Sequence, residues 1–151
     1  MALNAQSSAG TTFALSAALP ATYDAAGFGA VGMTYTTLGE VTNIGEFGKV
    51  FELITHNPLA TRKTEKLKGS YNNGSATLTL AIDKDDAGQI LATAGLDSDA
   101  AYSAKVTYQD GSIEYFTVLI MSFTTNIAGV NDVLSGSINI EIDSEIVPVA
   151  V

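Results

Sequence analysis

Val133-Leu134-Ser135-Gly136-Ser137-Ile138-Asn139-Ile140-Glu141-Ile142-Asp143 carries the cleanest alternation in the chain. Successive side chains of a strand point to opposite faces, so Ile138, Ile140 and Ile142 share one face while Ser137, Asn139, Glu141 and Asp143 share the other. The first face asks for a core and the second for water, which predicts a half-buried strand. Upstream, Tyr115 to Phe123 is apolar on both faces and broken by Thr117; such a strand needs cover on both sides. Asp110-Gly111 separates Ser103–Gln109 from Ser112–Thr124 and is the strongest local hairpin signal in the sequence.

Outward from this hairpin, Asp86 to Ala94 predicts one helix. Asp85 or Asp86 supplies a cap oxygen; with Asp86 as cap, Gln89 three residues on completes a capping box, and Gly95 suits a left-handed stop. Ile90, Leu91 and Ala94 form its expected apolar face. Phe13 and Leu15 read as a short strand closed by Pro20, and Asp24 caps a brief helical turn over Ala25 to Phe28. Thr34 to Thr37 and Val50 to Ile54 read as strands, with Gly39, Gly45 and Gly48 marking bends. His56 to Lys66 reads as a long polar loop. Lys66–Tyr71 and Ser75–Ile82 flank Asn72-Asn73-Gly74, which predicts a second hairpin. The expected fold is mainly β: a β-sandwich or barrel with one flanking α-helix. Residues 1–10 are expected to form a flexible N-terminal arm and residues 11–151 a single β domain.

The 151 residues suit one domain, and 46% hydrophobic against 15% charged residues excludes a disordered chain. So little charge leaves a lone subunit with much uncharged surface, which favours assembly with neighbours. There is no cysteine, which removes disulfides, thiolate metal sites and cysteine nucleophiles. The first twenty residues lack a positive n-region, and no run approaches the roughly 18 apolar residues of a membrane span. The sequence therefore reads as a soluble protein made in the cytoplasm, with no membrane partner.

Motifs for chemistry are weak. His56 is the sole histidine, without a partner for a triad or a metal site. Asp83-Lys84-Asp85-Asp86-Ala87-Gly88 resembles the start of a calcium loop, but Ala87 and Ala94 fall where ligands are required, so helix capping is the better reading. The glycines fit no phosphate or dinucleotide fingerprint, and Asn73-Gly74-Ser75 reads as a turn rather than a glycosylation site. No catalytic residue, cofactor or metal is expected, and the protein is not expected to be an enzyme.

The charge is unevenly spread. The net charge is −9, yet Arg62, Lys63, Lys66 and Lys68 fall within seven residues beside one acid, Glu65, leaving three bases against 15 acids elsewhere. Such a balance argues against gripping phosphate backbones. The basic window is either a solvated loop whose lysines discourage wrong strand pairing, or a contact patch complementary to an acidic neighbour. An identical neighbour met head to tail gives rings or filaments rather than closed dimers.

The order of several signatures carries a resemblance. Pro20-Ala21-Thr22-Tyr23-Asp24-Ala25-Ala26-Gly27-Phe28, then Gly39-Glu40-Val41-Thr42-Asn43-Ile44-Gly45-Glu46-Phe47-Gly48, then Lys68-Gly69-Ser70-Tyr71 and Asp86-Ala87-Gly88-Gln89, and finally Ile140-Glu141-Ile142-Asp143-Ser144 resemble the major tail tube proteins of long, non-contractile-tailed bacteriophages. The resemblance runs from about Gly10 to Val149. It implies a tail-tube-like β fold, hexameric rings and a stacked hollow tube through which DNA passes without specific binding. It also implies a place in the virion tail after assembly in the host cytoplasm, with tail-terminator, tape-measure and tail-tip proteins as partners. The N-terminal arm and the His56–Lys66 loop would carry ring-to-ring contacts. The wet face Ser137, Asn139, Glu141 and Asp143 is one candidate for lumen lining, and Thr77 with Thr79 another. Alternatives are a related tube subunit from a contractile tail, gene transfer agent or secretion system, and a monomeric β-sandwich binding module.

Overall fold

The apolar strand expected near Tyr115 forms the spine of the fold. In the computed structural model, which describes residues 5–150, β8 runs for 14 residues from Ile113 to Asn126. Phe116, Val118 and Ile120 point into the core, and Tyr115 and Thr117 on the opposite face are buried too, so both faces are covered as a doubly apolar strand requires. The cover on the Tyr115 side is α1 (Ala25–Phe28), whose Phe28 ring stacks on Tyr115 at 5.5 Å. Asp24 caps that turn, its carboxylate accepting from the Gly27 amide at 2.7 Å and the Thr22 hydroxyl at 2.9 Å; these bonds hold the Asp24 carboxyl below its ordinary range.

Around β8 lie β1 (Thr12–Ser16), β2 (Thr36–Thr37), β3 (Val41–Asn43), β6 (Ser75–Ala81), β7 (Tyr102–Thr107) and β9 (Ser135–Ile142), in the order β2-β1-β7-β8-β9-β6-β3. All pairings are antiparallel, and β10 (Val147–Val149) pairs with the start of β8. The sheet curls around Phe13, Leu15, Leu78, Leu80, Val106, Phe116, Ile138 and Ile140, all essentially without solvent contact. Residues 38–40 join its two short edge strands: the Leu38 amide donates to Phe13 O, and the Ala81 amide to Glu40 O, each at 2.9 Å. The result is a curled half-barrel with α2 (Ala87–Leu96) laid against it, the mainly β fold with one flanking helix that the sequence predicts. The Asp110-Gly111 hairpin and the β9 alternation are both present.

The helix differs from its expected form in two ways. Its buried residues are Gly88, Gln89, Ala92 and Gly95, whereas Ile90 is 56% exposed and Ala94 is exposed. Close approach to the sheet selects small residues: a Cβ on Gly88 would lie 2.4 Å from Thr37 O, and one on Gly95 would lie 2.6 Å from Ile120 Cδ1. Gly95 is therefore a packing residue inside the helix, and the cap is Asp97. The Asp86 carboxylate accepts from the Gln89 amide at 3.0 Å as expected of a cap, but the Gln89 side chain reaches past the cap to Asp83 N, Gly39 O and Ala81 O.

The second expected hairpin is overturned. β5 (Glu65–Asn72) pairs with β4 (Val50–His56), while β6 pairs with β9 and β3. Asn72-Asn73-Gly74 is a bend between two ladders: Asn72 Oδ1 accepts from the Gly74 amide at 2.8 Å, and Gly74 O accepts from the Ile142 amide at 2.9 Å. Ala76, Leu78 and Leu80 bury against Ile138 and Ile140 only if β6 lies beside β9, and that burial outweighs the local turn preference. The long loop is correspondingly shorter than expected, since His56 ends β4 and Glu65 begins β5.

Candidate functional site

The two sets of residues proposed for a lumen lining lie side by side. In the β6/β9 register Thr77 sits opposite Asn139, Thr79 opposite Ser137, and Ser75 opposite Glu141. Both strands turn Ala76, Leu78, Leu80, Ile138, Ile140 and Ile142 inward, so Thr77, Thr79, Ser137, Asn139 and Glu141 share the outer face of one sheet. Asp143 lies one residue past the end of β9, its amide bonded to Thr117 O at 2.8 Å.

β8 extends this face with residues the sequence reading missed. A register shift between Ile120 and Ser122 brings Ser122 opposite Asn139 and Thr124 opposite Ser137. Such a bulge reverses the parity of a strand: the core-facing positions pass from the buried 116, 118 and 120 to the partly buried Phe123. The surface is mostly hydroxyls and amides around Glu141, with the partly exposed Leu119 paired opposite Glu141. The acidic surplus lies elsewhere, with Asp83 and Asp85 before α2 and Asp97 and Asp99 after it.

The second surface is the β4–β5 ribbon, a separate two-stranded sheet. Every residue of β4 is exposed, and in β5 only Gly69 is partly covered. Ile54 faces Leu67 on one side, and the bare Gly69 leaves room for the Ile54 side chain 3.0 Å from where a Cβ would stand. The other side carries Phe51, Leu53, Thr55, Lys66 and Lys68, with the Lys68 ammonium 4.8 Å from the Phe51 ring centre. Val50, Leu53, Ile54 and Leu67 thus expose large apolar side chains on a structure that is marginal by itself in water.

The structure divides the four basic candidates between strand and tip. Lys66 and Lys68 lie on one face of β5, while Arg62 and Lys63 lie in the 57–64 loop, Arg62 with φ of 58° in the left-handed region. Among the described residues none of the four forms an ion pair. The ion pair present is at the ribbon's root, Lys49 Nζ to Glu145 Oε2 at 3.0 Å, and the Tyr71 hydroxyl donates to the other carboxylate oxygen. The Tyr71 hydrogen bond and then Lys49 hold the Glu145 carboxyl below its ordinary range, and the same bond raises the Tyr71 hydroxyl above its own.

Among the described residues no group of three or more His, Asp or Glu side chains comes together as a metal site would need. His56 is exposed at the end of β4, opposite Glu65, and the calcium-like stretch uses its carboxylates locally, Asp83 on the Asp85 amide and Asp86 on α2. A cavity of about 580 Å³ opens between Val41–Phe47 and Thr11 with Tyr108, beside residues 6–8. Gln6 and Ser7 are hydrogen-bonded to the β7–β8 turn; residues 1–4 of the expected arm lie outside the described residues.

No protein-family model matches the chain, and no curated protein matches it. Solved structures do. A chain of the six-fold symmetrised anti-feeding prophage baseplate superposes with a TM-score of 0.69 at 10% identity, covering 99% of this chain and 98% of that one. A chain of the sheath-tube complex of an extracellular contractile injection system, PVC, gives 0.60 at 10% identity over 93% of this chain and 88% of its own. The SPP1 tail tube gives 0.62 at 14% identity over 91% of this chain and 75% of its own. At these identities the likeness is one of fold, and the fold is that of chains from phage-tail and contractile-injection assemblies.

Proposed function

We propose that this protein is a structural subunit that forms hexameric rings and stacks them into a hollow tail tube, with the hydroxyl- and amide-rich face of β6, β8 and β9 lining the lumen. The observation that carries the reading is the β4–β5 ribbon: two strands with exposed apolar side chains on both faces, projecting from a half-barrel whose core they do not join. A neighbouring copy that covers the ribbon removes that apolar surface from water and satisfies its free strand edges. The fold's likeness to the SPP1 tail tube, over 91% of this chain, supports the same reading.

Passage of DNA through the lumen fits a wall that offers no cation. Phosphates spaced about one per 1.7 Å of duplex find no anchor on hydroxyls, amides and Glu141. Terminator, tape-measure and tip proteins then bound the tube, and the subunit reaches the virion tail from the host cytoplasm. A second reading, a tube inside a contractile sheath, is favoured by the match to the PVC sheath-tube complex. Negative-stain microscopy with light scattering across concentration tests the proposal. Uniform rings or tubes are expected, and a strict monomer at every concentration, even beside a tail-initiation complex, refutes it. Decoration of the tubes by a co-expressed sheath protein separates the second reading from the first.

A further inference from the structure

A groove of about 300 Å³ runs between α2 and the far end of β8, lined by Ile82, Ile90, Leu96 and Phe123 with Thr93 and Thr125. It is apolar and open: Ile90 is 56% exposed, because α2 packs on the barrel through its opposite, small-residue face. Its surroundings are acidic. Asp83 lines it and Asp85 lies two residues on, Asp97 directly follows Leu96, and Lys84 is the sole base among its lining residues.

The ribbon tip has the complementary chemistry. Leu59 projects fully into solvent, behind Pro58, and Arg62 and Lys63 follow within four residues. An exposed leucine with two cations close behind it in the loop suits a receptor that is an apolar groove with acids at its edge. Of the other exposed apolar tips, Ile127 and Val130 in the β8–β9 turn have Asp132 as their only charge and would bring like charge to the groove, and Val31 in the loop after α1 has no charged residue within five positions. Neither β4 nor β5 packs on α2 within the subunit, so the two surfaces are free for separate neighbours.

We infer that Leu59 of one copy seats in the α2–β8 groove of the next, with Arg62 and Lys63 against Asp83 and Asp85. The contact is head to tail and leaves a free tip at one end and a free groove at the other, so it propagates. This inference rests on the tube-subunit reading and assigns the receptor of its contact loop.

Because the chain has no cysteine, paired cysteines test it cleanly. Leu59→Cys and Ile90→Cys are introduced together, the protein is assembled, tubes are verified by microscopy, and a short bis-maleimide is added. A ladder of covalent dimers, trimers and longer chains is expected on a denaturing gel, with monomer alone from either single variant. If the double variant does not assemble, an equimolar mixture of the single variants should give one crosslinked dimer. Normal tubes without any crosslink overturn the groove assignment while leaving the tube reading intact. A wild-type protein that never associates overturns both. Independently, Asp83→Lys with Asp85→Lys should raise the concentration needed for assembly by about tenfold, and adding Arg62→Glu with Lys63→Glu should restore it. Unchanged assembly of the first variant, or no restoration by the second, overturns the inference.

Discussion

Gln89 is 4% exposed, and both polar atoms of its amide are in use: Oε1 accepts from the Asp83 amide at 3.1 Å, and Nε2 donates to Ala81 O at 2.9 Å and Gly39 O at 3.2 Å. One side chain thereby ties α2 to the end of β6 and to the 38–40 link between β2 and β3. Gln89→Leu keeps the volume but strands those three backbone groups, and we expect a loss of about 2–4 kcal/mol, read as a lower urea midpoint at unchanged slope. A loss below about 0.5 kcal/mol would show that solvent replaces the bridge. Gly88→Ala acts at the same joint by volume. The new Cβ meets Thr37 O and Leu38 Cα, backbone atoms that cannot swing away, and the expected cost is about 1–3 kcal/mol.

Glu145 and Tyr71 give the ribbon root a defined pH window. The Glu145 carboxyl is held below its usual 4.5, so its contribution is complete above that value and is lost as pH falls through the lowered one. The Tyr71 hydroxyl is raised above its usual 10.0, so its contribution is complete below that value and fades as pH rises through the higher one. Between those limits the latch is intact. NMR titration of the Glu145 carboxyl should show a midpoint that rises in Tyr71→Phe; an unmoved midpoint would remove Tyr71 as its main cause.

At the scale of the element, the ribbon is separable from the core. Its strands pair with each other, and its root crosses at Gly48 and Gly74, where a Cβ on Gly74 would stand 2.6 Å from Gly48 O. Both glycines have positive φ, at 149° and 94°, a conformation that side chains resist. Changing Arg62, Lys63, Lys66 and Lys68 to Glu should therefore leave circular dichroism and the thermal midpoint nearly unchanged, since exposed substitutions of this kind usually move stability by less than about 0.5 kcal/mol. Assembly should fail. Tubes of wild-type length from this variant would sink the contact role of the basic window. The ribbon also explains the misread hairpin: Asn72-Asn73-Gly74 has the composition of a tight turn, but a turn preference cannot tell a hairpin from a bend between two ladders when the partner strands are remote in sequence.

For the molecule as a whole, the lumen assignment concerns which face of the curled sheet turns inward in a ring. Asn139→Cys, on the outer face of β9, provides the probe. If that face lines a tube, a bulky maleimide should label the subunit readily before assembly and slowly afterwards, while a small reagent still reaches it. Equal labelling before and after assembly would place the face on the tube's exterior. Either result leaves the fold unchanged, because Asn139 contributes nothing to the core.

The sequence by itself determined the β architecture, since the Ile138-Ile140-Ile142 alternation, the doubly apolar β8 and Asp110-Gly111 are local patterns whose period fixes strand, face and turn. It also determined the N-cap of α1 and narrowed that of α2 to Asp85 or Asp86, because an Asp three residues before an unpaired amide needs no distant partner. Tertiary structure alone decided that β5 belongs with β4, that α2 buries its glycines rather than Ile90, and that Thr77 and Asn139 share one surface. Each of these depends on which remote segments come together, and that choice is made by burial summed over the whole sheet.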